Sequence, residues 1–87
     1  MANSHYFYPS PPLHHIIMTF SQRLKELRTR EQLTQQQMSL RLNMDQSTYS
    51  RYENGNTAPV INVILRIVEE FDVSPDWLLG KDKNDAV

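Results

Sequence analysis

The 87-residue sequence contains no cysteine, which excludes a disulfide framework and a thiolate metal site and fits a reducing cytosol. It also lacks an apolar run near the roughly 20 residues that a membrane-spanning helix needs. No basic N-terminal region is followed by an uninterrupted apolar core, so a signal peptide is not expected. These absences leave one small domain of modest core size and exclude a membrane partner.

Groupings that carry catalysis are missing as well. The sequence has no Ser/His/Asp or Cys/His arrangement, no paired carboxylates and no phosphate-binding loop, so we expect neither an enzyme nor a cofactor. The three histidines, His5, His14 and His15, all lie near the N-terminus. They lack acidic or cysteine companions at ligand spacing, and we therefore expect no metal site.

A strong net charge is also missing, because the chain carries a formal charge of −1. The charges are nevertheless unevenly distributed. Residues 19–55 hold six Lys/Arg against four Asp/Glu, whereas residues 56–87 hold three against six. The positive half would steer an anionic partner modestly, so specificity would depend mainly on positioned contacts.

The most informative stretch, residues 33–55, predicts two short helices joined by a tight turn. Thr34 followed by Gln37 forms a capping-box pattern at the start of the first helix. Asn43 marks its end, because Asn tolerates the left-handed conformation that follows many helices. Asp45 then stands at the N-cap position of a second helix. Such close spacing favours a helix-turn-helix over a long helical hairpin.

The second of these helices, predicted over residues 46–54, has two different faces. Helical spacing places Tyr49, Tyr52 and Glu53 together on the inner face. The outer face carries amide, hydroxyl and guanidinium groups that can hydrogen-bond base edges. The candidate base-reading residues are Gln46, Ser47, Ser50 and Arg51. A solvated helix face of no function is the alternative interpretation of the same pattern.

Five motifs stand at characteristic spacings between residues 20 and 80: RLKELR at 23–28, LTQQQM at 33–38, STYSRYENG at 47–55, Pro59, and VSPDWLLG at 73–80. With these motifs, residues 20–80 resemble the helix-turn-helix domain of the Cro and phage cI repressor family, also called the Xre family. The resemblance implies an all-α, compact five-helix fold of the lambda-repressor type. It also implies a cytoplasmic, bacterial or phage regulator that binds operator DNA as a homodimer, with its third helix in the major groove. Transcriptional repression is the expected outcome.

The resemblance further assigns roles to individual residues. It implies a structural ion pair between Arg28 and Glu53 that links the first helix to the third. The residues expected to contact phosphate are Gln35, Gln36, Thr48, Asn54 and Thr57. Asp45 is expected mainly to cap the third helix. A carboxylate there would repel phosphate, although it could also accept from cytosine N4.

Helical periodicity predicts the remaining helices. The first should begin near Thr19 or Ser21 and end near Arg30, with Phe20, Leu24 and Leu27 inward. A fourth is predicted over residues 60–71, followed by a left-handed Asp72, and a fifth opens at Ser74 and Pro75. The predicted inner stripe of the fourth helix is Ile61, Ile64, Leu65, Val68 and Phe71. The candidate dimer interface is Val63, Ile67, Trp77 and Leu78, with completion of the monomer core as the alternative.

The sequence thus divides into an N-terminal tail (residues 1–18), a helix-turn-helix domain (19–80) and a polar C-terminal end (81–87). Pro9, Pro11 and Pro12 predict an extended path for the tail. Met18 is an alternative translation start, and docking of the tail aromatics on the domain or a partner is the other interpretation. Two further classes stay open. One is an antitoxin or restriction-modification controller that also binds a protein partner through the tail. The other is an interaction module that has lost DNA binding.

Overall fold

The computed structural model describes residues 12–81, and in them five helices follow one another without a strand. The helices are α1 (Leu13–Arg30), α2 (Gln35–Arg41), α3 (Gln46–Glu53), α4 (Ile61–Phe71) and α5 (Pro75–Leu79). The prediction of a five-helix, all-α domain is therefore confirmed. Within residues 12–81, none of the helices has the length and apolarity required to cross a membrane.

The start of α1 differs from the prediction. The helix begins at Leu13 rather than at Thr19 or Ser21, so the extended path predicted up to residue 18 is wrong from Leu13 onward. Pro12 forms the N-cap with φ −59° and ψ 151°, and the residues after it in the tail include no proline. The helix-breaking effect of the prolines consequently ends at residue 12. The tail aromatics and His5 lie outside the described residues.

Local capping fixes the boundaries of the two central helices. The Thr34 hydroxyl accepts from the Gln37 backbone N–H at 3.1 Å, and the Gln37 side chain accepts from the Thr34 N–H at 2.8 Å. This confirms the capping box. Asn43 follows α2 in the left-handed conformation with φ 57°, and Asp72 follows α4 in the same conformation with φ 55°. Gln32 also adopts a positive φ, of 59°, which the sequence did not indicate.

The core lies where α1 crosses α3 and α5. Phe20, Leu24 and Leu27 are fully buried, as their spacing predicts. The ring of Phe20 meets that of Tyr52 edge-on at a centroid distance of 5.9 Å, which joins α1 to α3. The other fully buried large side chains are Met38, Leu42, Tyr49, Ile67 and Leu78. Together these contacts hold α3 rigidly on the rest of the domain.

The predicted inner face of α4 is wrong in part. Val63 and Ile67 are buried, whereas Ile61 and Leu65 are 70% and 49% exposed. The apolar residues of α4 form one broad stripe next to a polar side, and periodicity alone could not select which margin of that stripe is buried. Tertiary packing, including the contact of α4 with α5, made the selection.

The C-terminal helix packs closely against α1. Gly80 has φ 78°, and a Cβ there would lie only 2.7 Å from Thr19 Cγ2. Arg23 Nε donates to the Trp77 carbonyl at 3.2 Å, and its guanidinium lies 4.8 Å from the centroid of the Trp77 ring. Leu78 on the same helix is fully buried. Three of the four candidate dimer residues, Val63, Ile67 and Leu78, are buried within the single chain, which favours the alternative that they complete the monomer core.

Candidate nucleic-acid interface

The inner face of α3 anchors this helix to the domain. Tyr49, Tyr52 and Glu53 are all buried, which confirms the predicted division of the helix into two faces. The helix starts after an N-cap residue in extended conformation, Asp45, and ends at Asn54. Because both tyrosines lie in the core, the opposite face is held in one orientation.

Glu53 is the centre of a hydrogen-bonded cluster that joins three helices. Arg28 donates through Nε to Oε2 at 2.8 Å and through Nη2 to Oε1 at 3.0 Å, so the predicted ion pair is present and bidentate. The Tyr49 hydroxyl also donates to Oε2. Gln35 Nε2 donates to Oε1 at 2.8 Å, and Arg28 Nη1 reaches the Leu33 carbonyl at 3.0 Å. The carboxylate therefore fixes α3 relative to α1 and α2.

The same cluster determines which groups are charged. Burial acts to raise the pKa of Glu53, but the hydrogen bonds from Arg28, Tyr49 and Gln35 outweigh it, and the pKa lies below its ordinary value. The bonds to Glu53 raise the pKa of Arg28 despite its partial burial. Burial, followed by the neighbouring carboxylate, raises the pKa of Tyr49. Glu53 and Arg28 are thus an ion pair at neutral pH, with Tyr49 as a neutral donor.

The outer face of α3 presents most of the predicted base-reading groups to solvent. Gln46, Ser47 and Arg51 are exposed. Neither Gln46 nor Arg51 makes a side-chain hydrogen bond or ion pair to any other residue in the 12–81 segment. Their amide and guanidinium groups are therefore available for a ligand. Ser50 is half-buried, and its hydroxyl donates to Gln35 Oε1 at 3.0 Å.

Gln35 connects α2 to α3 instead of facing solvent. Its Nε2 donates to Glu53 and its Oε1 accepts from Ser50, so both ends of the amide bind within the domain. Gln36, the other glutamine expected to contact phosphate, is exposed. Sequence reasoning missed the role of Gln35 because its partners lie 15 and 18 residues away in the chain.

Asp45 occupies the predicted N-cap position, but its side chain makes no capping bond to the backbone. Instead Oδ2 accepts from the Ser47 hydroxyl at 2.6 Å and Oδ1 accepts from the Thr48 hydroxyl at 2.8 Å. These two hydroxyl bonds, Ser47 first, lower the pKa of Asp45. The carboxylate is exposed at the start of the helix. The expected capping role of Asp45 is therefore wrong, because its carboxylate accepts hydrogen bonds from the two hydroxyls instead of from backbone N–H groups.

The other expected phosphate residues flank this surface at its far end. Asn54 is exposed and forms the C-cap of α3, and Thr57 is half-buried in the loop that follows.

Two arginines outside α3 have partners that the sequence did not indicate. Arg41 pairs with Glu70 at 2.7 Å, and Arg66 donates to the Leu42 carbonyl at 3.2 Å at the end of α2.

Comparison with known proteins places the domain in a family. A family model described as a helix-turn-helix domain matches residues 21–82. The uncharacterized HTH-type transcriptional regulator YqaE of Bacillus subtilis is 37% identical over 68 residues, which cover 78% of this chain and 59% of that protein. The B. subtilis regulator ImmR is 35% identical over 66 residues, with 76% and 52% covered.

A third relative, the HTH-type transcriptional regulator AnsR of B. subtilis, is 34% identical over 61 residues, which cover 70% of this chain and 53% of AnsR. The chain thus spans between about half and three fifths of the length of these relatives. No solved structure gave a significant match. The matched family model, the relatives and the five-helix architecture show that the chain belongs to the Xre family of helix-turn-helix transcriptional regulators.

Proposed function

We propose that this protein represses transcription by inserting α3 into the major groove of operator DNA as a two-fold dimer. The observation that carries the proposal is the outer face of α3, where Gln46, Ser47 and Arg51 are exposed on a helix whose opposite side is buried. A helix held in this way presents its outer side chains to base edges without its backbone first having to be ordered. A major groove of about 12 Å width admits one α-helix.

Each exposed group on α3 has a base partner that suits it. Gln matches the N6 and N7 edge of adenine, and Arg matches O6 and N7 of guanine. Gln46 and Arg51 are therefore the principal base readers in this proposal. Ser50 is a weaker one, because its hydroxyl proton is directed to Gln35. Gln36, Asn54 and Thr57 are the proposed phosphate contacts at the two ends of the surface.

Two copies are proposed because one short helix reads too few base pairs for tight binding. Dimers of this kind place their recognition helices about 34 Å apart, one turn of DNA. The exposed Ile61 and Leu65 lie one turn apart on α4, on the side opposite the buried Val63 and Ile67. They replace the buried residues as the proposed dimer contact, together with the half-buried Trp77.

Repression is the direction of regulation that occupancy of the operator by this protein can produce without any further contact. A protein bound in the groove excludes polymerase from the DNA that it covers, whereas activation requires an additional contact. One relative, BcrR of Enterococcus faecalis, is named a transcriptional activator. A reporter gene downstream of the selected operator tests the direction, and we expect reduced expression when the protein is present.

The DNA-binding proposal is tested by selection from random duplexes, followed by titration at two salt concentrations. We expect a defined two-fold site and a steep loss of affinity at the higher salt. Arg51→Ala should weaken binding to the selected site by about 1–3 kcal/mol and relax discrimination at one or two positions per half-site.

The matched control is Lys81→Ala, which removes one positive charge from an exposed residue beyond α5. This variant should bind the selected site and unrelated duplexes as the wild type does. If Arg51→Ala weakened binding to every duplex equally, Arg51 would be a phosphate contact and the base-reading assignment would be refuted. Absence of any complex at low salt would refute DNA binding itself.

A further inference from the structure

The N-cap residue of α3, Asp45, carries a carboxylate that accepts hydrogen bonds from two hydroxyl groups. Asp45 accepts from Ser47 at 2.6 Å and from Thr48 at 2.8 Å. An ionised carboxylate has only acceptor sites, so the hydroxyls must be the donors in both bonds. The hydrogen bonds themselves lower the pKa of Asp45, which is consistent with an ionised group at neutral pH.

Each hydroxyl has one proton and can donate it only once. With its proton directed to Asp45, the Ser47 hydroxyl presents only lone pairs to a ligand in the groove. Hydrogen bonds from a hydroxyl to a carboxylate are shorter and stronger than those to neutral acceptors. A neutral base oxygen or ring nitrogen therefore does not draw the proton away from Asp45.

We propose that Asp45 is a specificity-determining positioning residue, which makes Ser47 an acceptor-only reader of base edges. This inference rests on the proposed insertion of α3 into the major groove. An acceptor in that groove pairs with an exocyclic amino group, which is N6 of adenine or N4 of cytosine. Guanine and thymine present acceptors to the groove and would be disfavoured at the same position. Without this carboxylate, the Ser47 hydroxyl could donate or accept and could therefore bind any of the four bases.

The same geometry reassigns Thr48. A phosphate oxygen accepts hydrogen bonds and does not donate them, so it requires a donor from the protein. The Thr48 proton is directed to Asp45 instead, and the side chain is half-buried. Thr48 therefore donates to Asp45 and is not a phosphate contact.

Asp45 also acts on affinity through its charge, and the two effects are separable. An exposed negative charge at the start of α3 repels every duplex equally, whatever its sequence. Orientation of the Ser47 proton, in contrast, changes the relative affinities of duplexes that differ at one base pair. The distinguishing measurement is accordingly a ratio of affinities, from which the uniform effect cancels.

The experiment starts from the operator selected with wild-type protein and varies each base pair of one half-site through all four bases. At the position that loses its preference in Ser47→Ala, the wild type should prefer adenine or cytosine by about three- to tenfold, the worth of one hydrogen bond. Asp45→Ala should reduce that preference to less than about twofold by restoring binding to guanine and thymine. Asp45→Ser keeps a good N-cap residue type and should give the same relaxation.

Thr48→Val serves as the matched control, because it removes the other hydroxyl bonded to Asp45 and keeps nearly the same shape. It should retain the wild-type preference and overall affinity. The inference is overturned if Asp45→Ala tightens binding to all four duplexes equally and leaves the preference intact. A uniform loss of affinity in Thr48→Val would overturn the reassignment of Thr48. Wild-type protein that bound no duplex would refute the proposed function as well, which distinguishes the two failures.

Discussion

Truncation of Glu53 to alanine is the most direct test of how α3 is held. The substitution removes the acceptor of four hydrogen bonds, two from Arg28 and one each from Tyr49 and Gln35. It leaves the Arg28 guanidinium, whose side chain is 18% exposed, opposite a cavity without its counter-charge. The Tyr49 hydroxyl loses its acceptor in the core at the same time.

The expected cost follows from burial. The Glu53 side chain is only 4% exposed, so solvent does not replace the lost partners. Breaking a buried ion pair by removing one partner costs about 3–5 kcal/mol. Total stabilities of small domains are about 5–15 kcal/mol, so this loss is a large share. For a domain of this size it corresponds to a decrease in melting temperature of about 15 °C or more.

Thermal unfolding followed by circular dichroism measures the effect, and the matched control is Glu70→Ala. Glu70 pairs with Arg41 on the surface, where the two side chains are 37% and 42% exposed. Exposed pairs contribute about 0–1 kcal/mol, so the control should melt within a few degrees of the wild type. Both variants remove one carboxylate that pairs with an arginine, but Glu53 is buried and accepts four hydrogen bonds, whereas Glu70 is more exposed and accepts one.

A double-mutant cycle with Arg28→Ala completes the test. If the two residues act as one unit, the double variant should lose clearly less stability than the sum of the single variants. An unchanged melting temperature in Glu53→Ala, or strictly additive losses in the cycle, would contradict the assignment of this pair as the link between α1 and α3.

Two further predictions concern pH and assembly. Because the folded-state pKa of Glu53 lies below its unfolded value, its contribution to stability is present at neutral pH and is lost as the pH falls through the folded pKa. Denaturant unfolding from pH 7 down to pH 3 should show this loss, and Glu53→Gln should show a flatter dependence; a parallel decrease in both proteins would contradict the prediction. Ile61→Ser should shift the protein towards monomer in sedimentation experiments and weaken operator binding. At protein concentrations where both proteins are monomeric it should leave the melting temperature unchanged, because Ile61 is exposed in one chain. Val63→Ser, at a buried position two residues away, should instead lower the melting temperature.

Local signals in the sequence predicted several features that neighbouring residues decide, although not the positive φ of Gln32 or the partners of Asp45. The capping box at Thr34, the left-handed Asn43 and Asp72, and the N-cap at Ser74 were all predictable, because each depends on groups within a few residues. The division of α3 into two faces followed from helical spacing in the same way. The Arg28–Glu53 pair came instead from the resemblance to the family, since no local pattern connects residues 25 positions apart.

Only the tertiary structure decided which apolar residues of α4 are buried and which donors on α2 and α3 are already in use. The apolar stripe of α4 is broad, so which of its margins is buried depends on the packing of the helix against the rest of the domain, including α5. Gln35 and Ser50 are polar residues at plausible contact positions, yet they bind one another, and Gln35 also donates to Glu53, across 15 and 18 residues of the chain. A sequence specifies which groups can donate or accept; the three-dimensional arrangement determines where each proton goes, because a donor binds the strongest acceptor within reach.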